Sequence, residues 1–186
     1  MIFKVSWITF FLILISQFTF SQLSSGYILK PDWVFDGEEM HDDWIVIVKG
    51  NKIIVCGNEK QFSFSDFPKF QVKYLKGQTL LPGLIEGHSH LLLHPYNETG
   101  WNDQVLKESK AERVVRATVA ARRTLEAGFT TVRDLGSEGA GYADVGLKKS
   151  IEKGIIPGPR MIVAGKAIVT TGSYGPKGFA AHVRVP

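Results

Sequence analysis

The sequence predicts an α/β fold in two parts, a small β-sandwich-like unit followed by a series of alternating strands and helices. Three observations carry this. Residues 22–79 hold short β-branched and aromatic runs separated by turn dipeptides. From residue 80 onward, apolar strand-like runs alternate with helical ones. The first of those runs ends in two histidines one residue apart, Gly87-His88-Ser89-His90.

Composition sets the outer limits. The chain has 186 residues, 44% of them hydrophobic and 22% charged, which is a globular composition and not a disordered or fibrous one. The net charge of +4 is mild, and the 22 basic residues are interleaved with 18 acidic ones. No nucleic-acid partner is expected from that pattern. Arg122-Arg123 and Lys148-Lys149 read as solvated helix faces. Cys56 is the single cysteine, so no intrachain disulfide can form. It follows the run Ile53-Ile54-Val55 and is expected to be a small buried hydrophobe.

The N-terminus reads as a targeting segment. Lys4 supplies a positive start, residues 7–15 are almost wholly apolar, and residues 16–21 are more polar. A bilayer span needs about 20 apolar residues. The pattern predicts a secretory signal peptide over residues 1–21, cleaved near Ser21 and Gln22. An uncleaved membrane anchor is the alternative, and no cysteine close to the run suggests a lipid anchor. The mature protein is expected to be exported, periplasmic or extracellular, and to touch membrane only through this segment.

In the β unit, residues 44–48 and 52–55 are β-branched runs flanking Gly50-Asn51, a tight hairpin turn. Residues 27–29 and 33–35 are further strands, with Asp36-Gly37 as a turn. Residues 62–69 read as a loop and 71–75 as a returning strand.

The second part, residues 80–186, opens with a strand over 79–87 that ends at the histidines. A long loop over 94–101 follows. Ser109 and Glu112 form a capping-box signature for a helix. Ala111, Val114, Val115, Ala121 and Leu125 then fall at helical spacing, with Thr118 as the polar entry in the stripe. Gly128 is the stop. Residues 129–132 form the next strand, 142–153 a weaker helix and 161–164 a third strand. Strand, helix, strand, helix, strand begins a βαβ series with a parallel sheet. The reading is therefore the first three strands and two helices of an incomplete (β/α)8 TIM barrel. Such barrels use eight units and about 250 residues, and they place chemistry at the C-terminal strand ends. His88, His90, Asp134 and the turn Thr170-Thr171-Gly172-Ser173 all fall at or just after such ends. The chain is expected to be the N-terminal part of a larger enzyme or a truncated product.

Residues two apart on a strand share a face, so His88 and His90 project side by side while Ser89 points away. Two imidazoles so placed can take adjacent positions on one divalent metal. Alone, this spacing is more often two histidines in a polar loop. The run Leu80-Leu81-Pro82-Gly83-Leu84-Ile85-Glu86-Gly87-His88-Ser89-His90 changes the weighing, because it resembles the first barrel strand of the amidohydrolase superfamily. Ala127-Gly128-Phe129-Thr130-Thr131-Val132-Arg133-Asp134-Leu135-Gly136 and Gly158-Pro159-Arg160 follow in the same order as in that superfamily. The likeness is greatest to the imidazolonepropionase-like branch that includes Xaa-Pro (prolidase-type) and Xaa-Arg dipeptidases.

The resemblance implies a metal-dependent hydrolase of C–N bonds in a small substrate such as a dipeptide. It implies a divalent metal, zinc in first place, as one or two ions, with His88 and His90 as ligands. It further implies that a carboxylated lysine, two more histidines and an aspartate come from later strands. Water activated by the metal would attack the amide, and the aspartate would carry the proton. Asp134 is either a group that orients a ligand or loop, or a strand-end residue pairing with Arg133 or capping the next loop. Tyr96 and Asn97 are candidates for lining the pocket, beside a plain surface-loop role, and Tyr174 is a third candidate for substrate contact. His94 could face the same region, but it lies past the strand in a loop with Pro95, so a surface or substrate-loop role is read ahead of metal ligation. Gly172-Ser173-Tyr174-Gly175 stands where relatives often carry Gly-Gly-His-Gly, so the histidine that usually contacts a substrate carboxylate is missing and no specific substrate is assigned. Homo-oligomers are expected by analogy. The alternative from another class is a non-catalytic fragment or a binding module.

Overall fold

A computed structural model describes residues 26–170 together with His182. The expected signal peptide over residues 1–21 and the segment with Tyr174 lie outside the described residues. The chain divides into two compact units between Pro82 and Gly83.

The first unit is built on β1 (Gly26–Phe35), β2 (Met40–His41), β3 (Trp44–Lys49), β4 (Lys52–Asn58) and β5 (Phe70–Leu80). They form one five-stranded sheet ordered β2-β1-β3-β4, with β5 joined to β1. The expected sandwich of two sheets is therefore corrected to a single sheet among the described residues. Its core is Ile28, Ile45 and Ile47. Two 3-10 turns, Glu59–Gln61 and Phe64–Asp66, connect β4 to β5. Phe62, Phe64, Phe67 and Phe70 pack on that core in place of a second sheet. The β3–β4 hairpin turns at Gly50, whose φ of 59° suits glycine.

Three local expectations change. The two short strands at 27–29 and 33–35 are one ten-residue strand with an irregularity between Pro31 and Trp33, where proline has no N–H for the ladder. The strand placed over 79–87 is split. Thr79 and Leu80 finish β5, Pro82-Gly83 breaks the chain, and β6 runs Leu84–Ser89. Cys56 is exposed, not buried. Strand alternation explains it, since Gly57 is buried and Val55 half-buried, and Val55 packs against the core.

The second unit holds β6 (Leu84–Ser89), β7 (Phe129–Asp134) and β8 (Arg160–Val163) in one parallel sheet ordered β6-β7-β8. α1 (Trp101–Lys107) and α2 (Lys110–Glu126) lie between β6 and β7, and α3 (Ala143–Glu152) lies between β7 and β8. Sequence reading missed α1. The Ser109 side chain caps α2 by accepting from Glu112 N at 3.1 Å, and Gly128 ends it at φ 97°.

The packing face of α2 differs from the expected stripe. Ala117 and Ala121 are fully buried, with Val114 and Ala120 beside them, while Ala111 is exposed and Val115 is 67% exposed. Val114, Ala117 and Ala121 follow a three- and four-residue spacing, and Val115 is turned about 100° away from Val114. Small alanines let the helix approach closely. A Cβ added at Gly158 would fall 3.2 Å from the Ala121 methyl and 2.5 Å from Ile151 Cδ1. That crowding is a physical reason for glycine in Gly158-Pro159-Arg160.

Candidate active site

The candidate residues gather at the C-terminal ends of β6 and β7. His88 lies one residue before the end of β6, and His90 follows the strand directly. Their rings are 5.4 Å apart between centroids and inclined at 64°. The His88 ring is exposed and the His90 ring half-buried. His90 Nδ1 lies 3.1 Å from the carbonyl oxygen of Gly136. A carbonyl only accepts, so Nδ1 carries the proton and donates it. The lone pair is thereby placed on Nε2, as in histidines that bind a metal through one nitrogen and a protein acceptor through the other. Glu138 Oε1 lies 3.7 Å from the same Nδ1. Two neighbouring imidazoles are residues that could hold a divalent ion between them. Among the described residues, no group of three or more His, Cys, Asp or Glu is placed to hold a metal.

Three buried polar residues hold the loops around the pair, and two of them went unread in the sequence. Arg113 on α2 is 2% exposed. Its Nε donates to Leu92 O at 3.1 Å, Nη1 to Glu138 O at 2.8 Å and Nη2 to Ser137 O at 2.9 Å. Burial pulls its pKa below the ordinary guanidinium value, partly offset by the nearby Glu108 and Glu138 charges. Gln104 on α1 is fully buried; it accepts from His94 N and donates to Thr99 O at 2.7 Å, closing the loop after β6. The signal for Arg113 was a charge beside Val114 on an apolar helix face. Gln104 offered no such signal.

Asp134 is the third. It ends β7 fully buried, accepting from Leu91 N at 2.9 Å and from Gly136 N at 3.2 Å. Burial pushes its carboxyl pKa up, and the two N–H donors and His90 act against that. Asp134 thus ties the loop after His90 to the loop after β7. The neighbouring Arg133 turns elsewhere, donating from Nε to Gly87 O at 2.8 Å.

The remaining candidates lie in the loop after β6. His94 Nε2 is 3.0 Å from Glu108 Oε1 and its Nδ1 is 3.6 Å from Glu98 Oε2, so both ring nitrogens face carboxylates. Tyr96 and Asn97 are exposed. The phenol pKa of Tyr96 is raised, first by partial burial and then by the Glu138 charge. In the other unit His41 stacks on Trp44 at 3.7 Å and bonds Asp36 at 2.8 Å.

Residues 79–184 match the profile of the amidohydrolase family, which is more than half of the chain. The chain belongs to that family. A search of curated proteins found no significant match. Among solved structures, a Xaa-Pro dipeptidase with methionine bound in its active site is 28% identical, with a TM-score of 0.64 over 80% of this chain and 35% of that protein. The ochratoxinase of A. niger is 20% identical, with a TM-score of 0.58 over 75% of this chain and 31% of that protein. A molinate hydrolase is 20% identical, with a TM-score of 0.58 over 78% of this chain and 31% of that one. The last two show the fold alone. This amidohydrolase-family chain spans about a third of the length of each structure.

Proposed function

We propose that the second unit carries the opening part of the catalytic barrel of a metal-dependent hydrolase, cleaving the amide or peptide C–N bond of a small substrate such as a dipeptide. Family membership supports the bond class. The similarity to a Xaa-Pro dipeptidase supports a dipeptide-sized substrate. The single observation that carries the metal reading is His90, whose Nδ1 proton is committed to Gly136 O beside the exposed ring of His88. Three parallel strands in sequential order, with this pair at the C-terminal end of the first, support reading them as the start of a (β/α)8 barrel.

His88 and His90 would hold one divalent ion, zinc in first place, within a site of one or two ions. Such an ion supplies Lewis acidity, lowering the pKa of water to about 7 and polarising the scissile carbonyl. The two histidines bind and orient; neither is a nucleophile. Asp134 and Arg113 keep the two loops in register beneath them. The exposure of Tyr96 and Asn97 in the loop after β6 supports a role for them as substrate contacts. The apolar N-terminal segment supports export.

The test uses the natural full-length protein. Zinc content and hydrolysis of a panel of dipeptides and N-acyl amino acids are measured before and after His88→Ala with His90→Ala. The expected result is loss of zinc and a fall to the uncatalysed rate. Undiminished hydrolysis in the double variant would overturn the proposal.

A further inference from the structure

We propose that Glu138 is a positioning residue for His90, keeping the ring proton on Nδ1 and the Nε2 lone pair free. The inference rests on the metal reading above and extends it to a residue outside the ligand set. The Glu138 side chain is 5% exposed, a rare burial for a carboxylate. Oε2 accepts from Trp101 Nε1 at 3.0 Å, and Oε1 lies 3.7 Å from His90 Nδ1. That separation is electrostatic and not a hydrogen bond. A negative oxygen at this edge favours an N–H facing it and disfavours a lone pair there. Gly136 O and Glu138 Oε1 therefore act on the same ring nitrogen in the same direction.

The backbone shows that the placement is enforced. Glu138 sits at φ 48°, a region that non-glycine residues seldom occupy. Arg113 holds it there through Glu138 O and Ser137 O, and the same guanidinium holds Leu92 O, two residues after His90. One helix residue thus fixes both the loop bearing the ring and the loop bearing the carboxylate.

The test uses the natural full-length protein with zinc as the probe. Glu138→Gln keeps the shape and an acceptor for Trp101 but removes the charge. Trp101→Phe keeps the charge but removes the indole donor to Oε2. The readouts are zinc affinity by chelator competition, the side-chain 15N shifts of His90 in metal-free protein, and the melting temperature. The expected result for Glu138→Gln is a His90 shifted away from a pure Nδ1–H tautomer and zinc bound about 10- to 100-fold more weakly. Trp101→Phe should move both readouts the same way by less, and both variants should keep cooperative melting. The proposal is overturned if Glu138→Gln keeps the wild-type His90 shifts with zinc affinity within about twofold, outside the range such supporting groups show. It is also overturned if melting collapses while the tautomer is unchanged. If wild type and His88→Ala with His90→Ala bind zinc equally, the metal reading fails instead, and the 15N shifts still decide the role of Glu138.

Discussion

At the residue scale, carboxylates that accept backbone N–H groups are the sensitive points. Asp134 satisfies two backbone N–H groups with two oxygens. An asparagine offers one oxygen, and its NH2 would face the other N–H. Asp134→Asn should cost about 1–3 kcal/mol, read as a lower urea midpoint with an unchanged slope. Asp36 behaves oppositely to Asp134. The N–H groups of Glu39 and Glu38, then His41, lower its pKa from 3.8 to about 2. Its folded form favours the carboxylate, so its contribution to stability is present above its ordinary pKa and is lost as pH falls from about 4 to about 2. Denaturation midpoints measured across that window should fall with pH, and Asp36→Asn should flatten that part of the slope.

Elements are held by caps and clamps whose loss should be measurable. Ser109→Ala removes the acceptor for Glu112 N and should destabilise by about 1 kcal/mol. Arg113→Met is more severe. It strips donors from Leu92 O, Ser137 O and Glu138 O and leaves the nearby Glu138 charge less balanced. A cost of about 1–3 kcal/mol for each carbonyl left unpaired is expected by chemical denaturation. The contrast between the two variants separates a helix end exposed to water from a helix face that organises a site.

For the molecule as a whole, the parallel sheet leaves large apolar side chains in solvent. Ile85 on β6 is 74% exposed and Ile162 on β8 is 56% exposed. Surfaces of this kind are normally covered by further elements or by partners. A recombinant product limited to residues 22–186 is expected to self-associate, seen as high-mass species by size exclusion. A stable monomer at micromolar concentration would instead favour the binding-module reading. No described helix is long and apolar enough to cross a membrane.

What the sequence determined by itself is local. The Gly50-Asn51 turn, the Ser109–Glu112 cap, the Gly128 stop and the paired histidines are each decided within a few residues, by φ preferences, a nearby side-chain oxygen or strand alternation. The βαβ order follows from their succession. The tertiary structure decided what depends on distant partners. His90 meets Gly136 46 residues away, and Arg113 reaches carbonyls 21 to 25 residues away on both sides. Which face of α2 is buried, and which face of β4 is open and so exposes Cys56, depend on what packs opposite them. Hydrophobic periodicity marks an apolar stripe; only the neighbouring strand, helix or loop determines which of its residues are enclosed.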